Sequence, residues 1–448
     1  MKPLLLSNTL IINEDTRYPA DILIEQGRIS NIAPHIASQP HWEVIDVKGQ
    51  WVIPGMIDDQ VHFREPGLTH KGTIASESRA AVMGGITSVM EMPNVTPPTT
   101  TRQALSDKFR RASQASLANF SFYFGATNDN LDELKALEPS QACGVKVFMG
   151  ASTGNMLVDD EQVLEGIFRN APCVVATHCE HTPTIQQNEA IWRTRFGDAI
   201  PPAEHAAIRS VDACLLSSRQ AVSLAKKHRT RLHVLHITTA EELALFDAAP
   251  TLSSLRQKTI TAEACVHHLF FNQDDYETLG YKLKCNPSVK SARHQQALWK
   301  AVNDGVIDII ATDHAPHLLN EKQRDYFSAP SGLPLVQHAL PALFDLCHQG
   351  IFTPEMVVRK TSHAVAERFQ IKDRGYIREG YWADLVIINP DSHRQIIRQD
   401  IAYKCGWSPF ENRVFSSGEI VMTLVNGHKV WNGNSLYPTF GKPLEFCR

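Results

Sequence analysis

Between about Pro54 and Arg374 the chain repeats one unit: a short apolar run rich in β-branched residues, then a longer amphipathic segment. ITSVMEM, GVKVFMG, PCVVATHCE, RLHVLHIT, KTITAEAC and VIDIIATDH are such runs. Runs of this length read as strands buried on both faces, and the segments between them read as the helices that bury them. About eight units fit the available length, which predicts an α/β fold, a (β/α)8 TIM-like barrel over residues 54–374. The two ends have another texture. LLLSNTLII, ADILIEQGRISNIAP and WEVIDVKGQWVIPG precede the barrel, and GYWADLVIINPD and EIVMTLVNGHKVWNG follow it. They alternate with period two and stop at Gly or Pro, which suggests a small antiparallel sheet. Residues 1–53 and 375–448 are therefore expected to join as one small, discontinuous, β-rich and sandwich-like domain.

Composition narrows the function classes. A chain of 448 residues with 43% hydrophobic and 21% charged residues can bury a large core. Its net charge is −4 and Lys and Arg form no block, so neither nucleic acid nor an anionic membrane is the expected partner. The nine Cys are scattered without a CxxC pair, which predicts reduced thiols and a cytoplasmic protein. The N-terminal apolar run lacks a small-residue cleavage site and alternates like a strand rather than a signal peptide. No stretch approaches the roughly 18 apolar residues of a membrane span.

The 20 His stand out, and their placement matters more than their number. Active sites of such barrels lie at the carboxyl ends of the strands, and the apolar runs here end on Gln60, His62, Arg64, Asn94, Lys146, His178, His236, Asn286 and Asp313. In DDQVHFREPG, strand alternation puts Gln60, His62 and Arg64 on one face. His62 could bind a metal and Arg64 a carboxylate, or both could be structural. His178 and His236 follow strands in the same manner, while His233 is expected to face away. One strand-end His is more often structural than a ligand, but three together favour a metal site, and imidazole suits zinc and related ions. Lys146 stands in an apolar strand, where it either pairs with an acid or loses its proton and reacts with carbon dioxide to give a carbamate. Asp313 could bind a metal and accept a proton from metal-bound water, or cap a helix. His317 would contact an anionic substrate from the loop.

QVHFREPG, EMPN, KVFMG, THCE, HIT, NPSVK and ATDHAPH occur in this order over essentially the whole chain. With them the chain resembles the amidohydrolase superfamily and, within it, the dihydroorotases similar to hydantoinases and allantoinases. HFREPG, MPN and DHAPH are the specific elements. The resemblance implies one or two Zn2+ ions held by His62, a carbamate on Lys146, His178, His236 and Asp313. It implies substrate contacts from Arg64, Asn94, Asn286 and His317, with Asp313 as catalytic base and then acid. The implied reaction is reversible hydrolysis of (S)-dihydroorotate to N-carbamoyl-L-aspartate in pyrimidine synthesis, by a homodimer or homo-oligomer. Two positions depart from the pattern. Gln60 stands where the first strand usually carries His, which predicts weaker binding of one metal or a single ion. NPSVK replaces the commoner NPPLR, and no role is assigned to Lys290. Two other readings compete: a cyclic amidase for hydantoin- or allantoin-like rings, and a noncatalytic barrel partnering an enzyme such as aspartate carbamoyltransferase, which Gln60 alone supports. The loop at about 318–330 is expected to close over substrate, although it has no glycine hinge.

Overall fold

The computed structural model describes residues 2–150, 156–437 and 439–448. Among them, eight parallel strands follow one another around a barrel: β1 (Met56–Val61), β2 (Ile86–Glu91), β3 (Asn119–Phe122, continued by Phe124–Gly125), β4 (Val145–Phe148), β5 (Val175–His178), β6 (Leu232–Val234), β7 (Ile260–Cys265) and β8 (Ile309–Ala311). Each pairs with the next in parallel. The ring closes where Val61 bridges His314 and the His62 amide donates to the His314 carbonyl at 2.7 Å. These strands are buried almost throughout, which is why their sequences are continuous apolar runs.

The helices between them are bounded by local signals. Thr73 and Ser76 form a capping box at the start of Ile74–Met83. Ser210 caps Val211–His228, whose last turn carries Lys226, Lys227 and His228 at the negative end of the helix dipole. None of the described helices is long and apolar enough to cross a membrane.

The chain ends build one eight-stranded sheet. Its order is His428–Trp431, Glu419–Val425, Leu385–Asn389, Trp51–Pro54, Leu4–Asn13, Thr16–Glu25 and Arg28–Ala33, with Glu43–Asp46 also on Leu4–Asn13. Most pairings are antiparallel, but Leu4–Asn13 runs parallel to both Glu43–Asp46 and Trp51–Pro54. This departs from the antiparallel expectation. Residues 34–42 cross over the sheet instead of turning back as a hairpin, and a crossover delivers the next strand in the same direction.

The step from sheet to barrel takes a single residue, Gly55, where a Cβ would stand 2.2 Å from the Thr87 side chain. A buried network joins the two parts further along. Arg374 pairs with Asp384, Asn119 donates to Asp384 at 3.1 Å, and Asn426 donates to Asn119 at 2.8 Å.

Candidate active site

One cavity at the carboxyl ends of the barrel strands is lined by Gln60, His62, Arg64, Asn94, Lys146, Phe148, His178, His236, Asn286, Asp313, Ala315, Ser331 and Gly332. It gathers all the residues singled out at strand ends. His317 lies behind Arg64: its Nε2 is 2.9 Å from Arg64 Nη2 and its Nδ1 is 3.0 Å from Lys71 Nζ. Strand alternation alone does not produce this convergence, because β1 ends at Val61. Arg64 (φ 71°), His236 (φ 39°) and Asp313 (φ 50°) occupy the left-handed region as the chain turns at the strand ends. Such conformations cost on the order of 1–3 kcal/mol each and cluster at functional sites.

Two pairs organise the floor. Asp313 Oδ1 accepts from His62 Nε2 and Gln60 Nε2, both at 3.1 Å. His178 Nδ1 lies 3.1 Å from His236 Nε2. Burial holds His62 and His178 below the usual imidazole range, despite their acidic neighbours Asp313 and Glu180. Burial holds His236 lower still, and nearby His178 and Lys146 add to the effect. All three rings are thus neutral, the form that binds metals. Burial would raise the Asp313 carboxyl, but its bond to His62 brings it below the ordinary carboxylate range, so it is ionised. The Lys146 ammonium is 1% exposed, with the Phe148 ring 4.8 Å away, and burial lowers its pKa to about 8. At neutral pH far more of it is the free amine than for an ordinary lysine.

Three neutral imidazoles, an ionised carboxylate and a deprotonation-prone lysine fit a divalent ion of the zinc class. The buried Nδ1 of His236 has no hydrogen-bond partner, as befits a ligand atom. Gln60 uses its nitrogen on Asp313 and its oxygen on the Cys265 thiol, 3.7 Å away.

The substrate-facing wall is cationic and amidic. Arg64 is 2% exposed and bonds the Pro316 carbonyl at 3.1 Å through Nε. With its amide turned so that both ends are satisfied, Asn286 faces Arg209 Nη2 with its oxygen at 3.1 Å and Ser331 Oγ with its nitrogen, also at 3.1 Å. Asn94 Oδ1 is buried and has no hydrogen-bond partner. Lys290 lies outside the cavity lining and donates to Ser288 Oγ at 2.8 Å.

Sequence reasoning passed over several residues. Glu180 Oε2 lies 3.0 Å from His178 Nε2 and 2.5 Å from Arg209 Nη1. Burial would raise the Glu180 carboxyl, yet Arg209 and His178 bring it down to about 2. A carboxylate beside the far nitrogen of a metal-binding imidazole is placed to set that ring's tautomer and orientation, although the His178 Nε2 contact is not in hydrogen-bond geometry. Glu180 follows His178 by two residues and was within reach of a reading of THCE, whereas Arg209 comes from another element and leaves no local signal. His233 does lie away from the cavity, buried against Glu263 at 3.2 Å and Asp59 at 3.3 Å.

A model described as "Amidohydrolase family" matches residues 51–430. A dihydroorotase of Halobacterium salinarum is 36% identical over 400 residues, 88% of this chain and 89% of that protein. An allantoinase of Solibacter usitatus is 31% identical over 95% of this chain and 93% of its own length. The solved structure of an L-hydantoinase (dihydropyrimidinase) from Arthrobacter aurescens superimposes with a TM-score of 0.91 at 26% identity, covering 99% of this chain and all of that one. With the barrel, the appended sheet and the site described above, these likenesses lead to one conclusion: the chain belongs to the amidohydrolase family, among relatives that include dihydroorotases.

Proposed function

We propose that the protein is a zinc-dependent dihydroorotase, catalysing reversible hydrolysis of dihydroorotate to N-carbamoyl-L-aspartate in cytoplasmic pyrimidine synthesis. The observation that carries the choice of substrate is Arg64: a buried guanidinium on the cavity wall with no acidic partner within 4 Å among the described residues. A cation so placed calls for an anionic substrate, and dihydroorotate carries a carboxylate on its cyclic amide. In this reading Arg64, Asn94 and Asn286 hold the substrate, and His317, expected as a direct contact, instead backs Arg64. His62, His178, His236, Asp313 and a carbamate on Lys146 hold one or two ions. When bound, such a metal lowers the pKa of water from 15.7 to about 7 and polarises a carbonyl. Asp313, ionised at the floor of the cavity, accepts the nucleophile's proton and returns it to the leaving ring nitrogen. Arg64 and the two asparagines fix the ring for attack. Residues 54–374 act as the catalytic barrel domain, with 1–53 and 375–448 as its β-rich companion, in a homo-oligomer.

Lys146→Ala tests the metal site. It is expected to fold, because the variant removes a buried ammonium, but to lose bound metal and turnover, with partial rescue by small carboxylates. An alanine variant with full metal content contradicts the ligand role. The relatives named allantoinase and hydantoinase support a second reading, a ring without the carboxylate. Turnover of hydantoin or allantoin exceeding that of dihydroorotate would favour it.

A further inference from the structure

One buried cluster beside the cavity has no part in this chemistry. Cys265 ends β7, and His267 and His268 lie in the short helix Val266–Phe270 that follows. Their ligand atoms lie within 4.8 Å of one another, all three side chains are buried, and the two rings meet at a 44° tilt with centroids 3.9 Å apart.

Each member has bonding capacity left over. His268 Nε2 donates to the Pro287 carbonyl at 3.1 Å, so its lone pair is on Nδ1, and that atom has no hydrogen-bond partner. A ring that anchors one N–H on a backbone carbonyl and keeps the other nitrogen free is the usual arrangement of a metal ligand. His267 has the Thr312 backbone beside it, but neither of its ring nitrogens is in good hydrogen-bond geometry, so one remains available. The Cys265 thiol makes only long contacts, to Glu263 Oε1 at 3.6 Å and Gln60 Oε1 at 3.7 Å. Acidic side chains, Glu263, Asp313 and Asp58, surround the thiol, so a cation there would have carboxylates near it.

We propose that Cys265, His267 and His268 form a second metal site, separate from the cavity, that takes one divalent ion of the zinc class. A thiolate with two imidazoles is a zinc donor set, with bonds of about 2.3 Å to sulfur and 2.0–2.1 Å to nitrogen. Such bonds set donors roughly 3.4 Å apart, so the three side chains draw together around the ion. On binding, the thiol releases its proton to solvent and one metal–sulfur bond forms. The ion brings two positive charges and the departing proton removes one, leaving a single positive charge for the neighbouring carboxylates to balance. The site does not depend on the identity of the substrate.

The test uses the full chain, stripped with a chelator and reloaded anaerobically with cobalt(II) alone. The parent is expected to develop a near-ultraviolet sulfur-to-cobalt charge-transfer band. Cys265→Ser should lose that band and one ion per chain, whereas His178→Ala, altered in the cavity, should keep the band. Circular dichroism checks folding. Should Cys265→Ser fold poorly, His268→Gln is expected to bind one ion fewer in its place. A metal-loaded parent without the band, or a band and ion count unchanged in the folded variant, overturns the proposal.

Discussion

Arg64 illustrates how surroundings give one side chain its chemistry. Burial lowers its pKa to about 10, and its partners are a backbone carbonyl and the ring of His317, which burial holds neutral. An unpaired cation held in the protein is expensive, and a substrate carboxylate offsets that cost. Arg64→Met is expected to lower kcat/KM for dihydroorotate about 10- to 150-fold, from charge-assisted bonds worth about 1.5–3 kcal/mol. Thermal stability should hold. Steady-state kinetics beside a melting curve measures both, and kinetics equal to the parent's would remove Arg64 from the site. The candidates were legible in sequence because each ends an apolar run or follows one directly, and in a barrel those positions converge. Glu180 was within reach, two residues after His178, but Arg209 was not, because a bond between side chains of separate elements carries no periodicity. Gln60 was legible as a departure, but its hydrogen bond to Asp313 and its long contact with Cys265 appear only in three dimensions.

Among the elements, the segment after the DHAPH motif behaves differently from its sequence. The absence of a glycine hinge fits what is observed: two buried lysines staple the loop to the barrel. Lys322 Nζ donates to the carbonyls of Lys284 and Pro330, both at 2.8 Å, and of Gly332 at 3.0 Å. Lys284 Nζ donates to Ala329 O at 2.6 Å and to Tyr326 O. The loop thereby presents Ser331 and Gly332 to the cavity. Lys322→Met leaves three carbonyls without their donor and is expected to cost about 2–3 kcal/mol. It should also open residues 323–330 to limited proteolysis. Unchanged melting and unchanged cleavage would show that the lysine does not hold the loop. Lys322 reads in sequence as an ordinary surface lysine, because a cage of backbone carbonyls leaves no trace in side-chain pattern. The same limit applies to Leu4–Asn13, whose alternation reveals a strand but not the parallel partners supplied by the crossover.

At the scale of the whole molecule, barrel and sheet are locked by buried polar groups as well as apolar packing. Arg374 and Asp384 are 3% and 5% exposed, and Asp384 also accepts from Asn119 at the start of β3 and from the Asn426 amide at 2.7 Å. Asp384→Ala strands a buried guanidinium and is expected to cost about 3–5 kcal/mol, read as a lowered Tm. A loss below about 1 kcal/mol, the value of an exposed pair, would contradict the lock. Held this way, the barrel brings its strand ends together at one cavity. The direct measurement is dihydroorotate hydrolysis by protein whose metal content has been counted, with Asp313→Asn beside it. Turnover by the metal-bearing parent and a loss of about 10²- to 10⁴-fold in the variant are expected. Metal-bearing parent without turnover, or a variant as fast as the parent, would contradict the proposed activity.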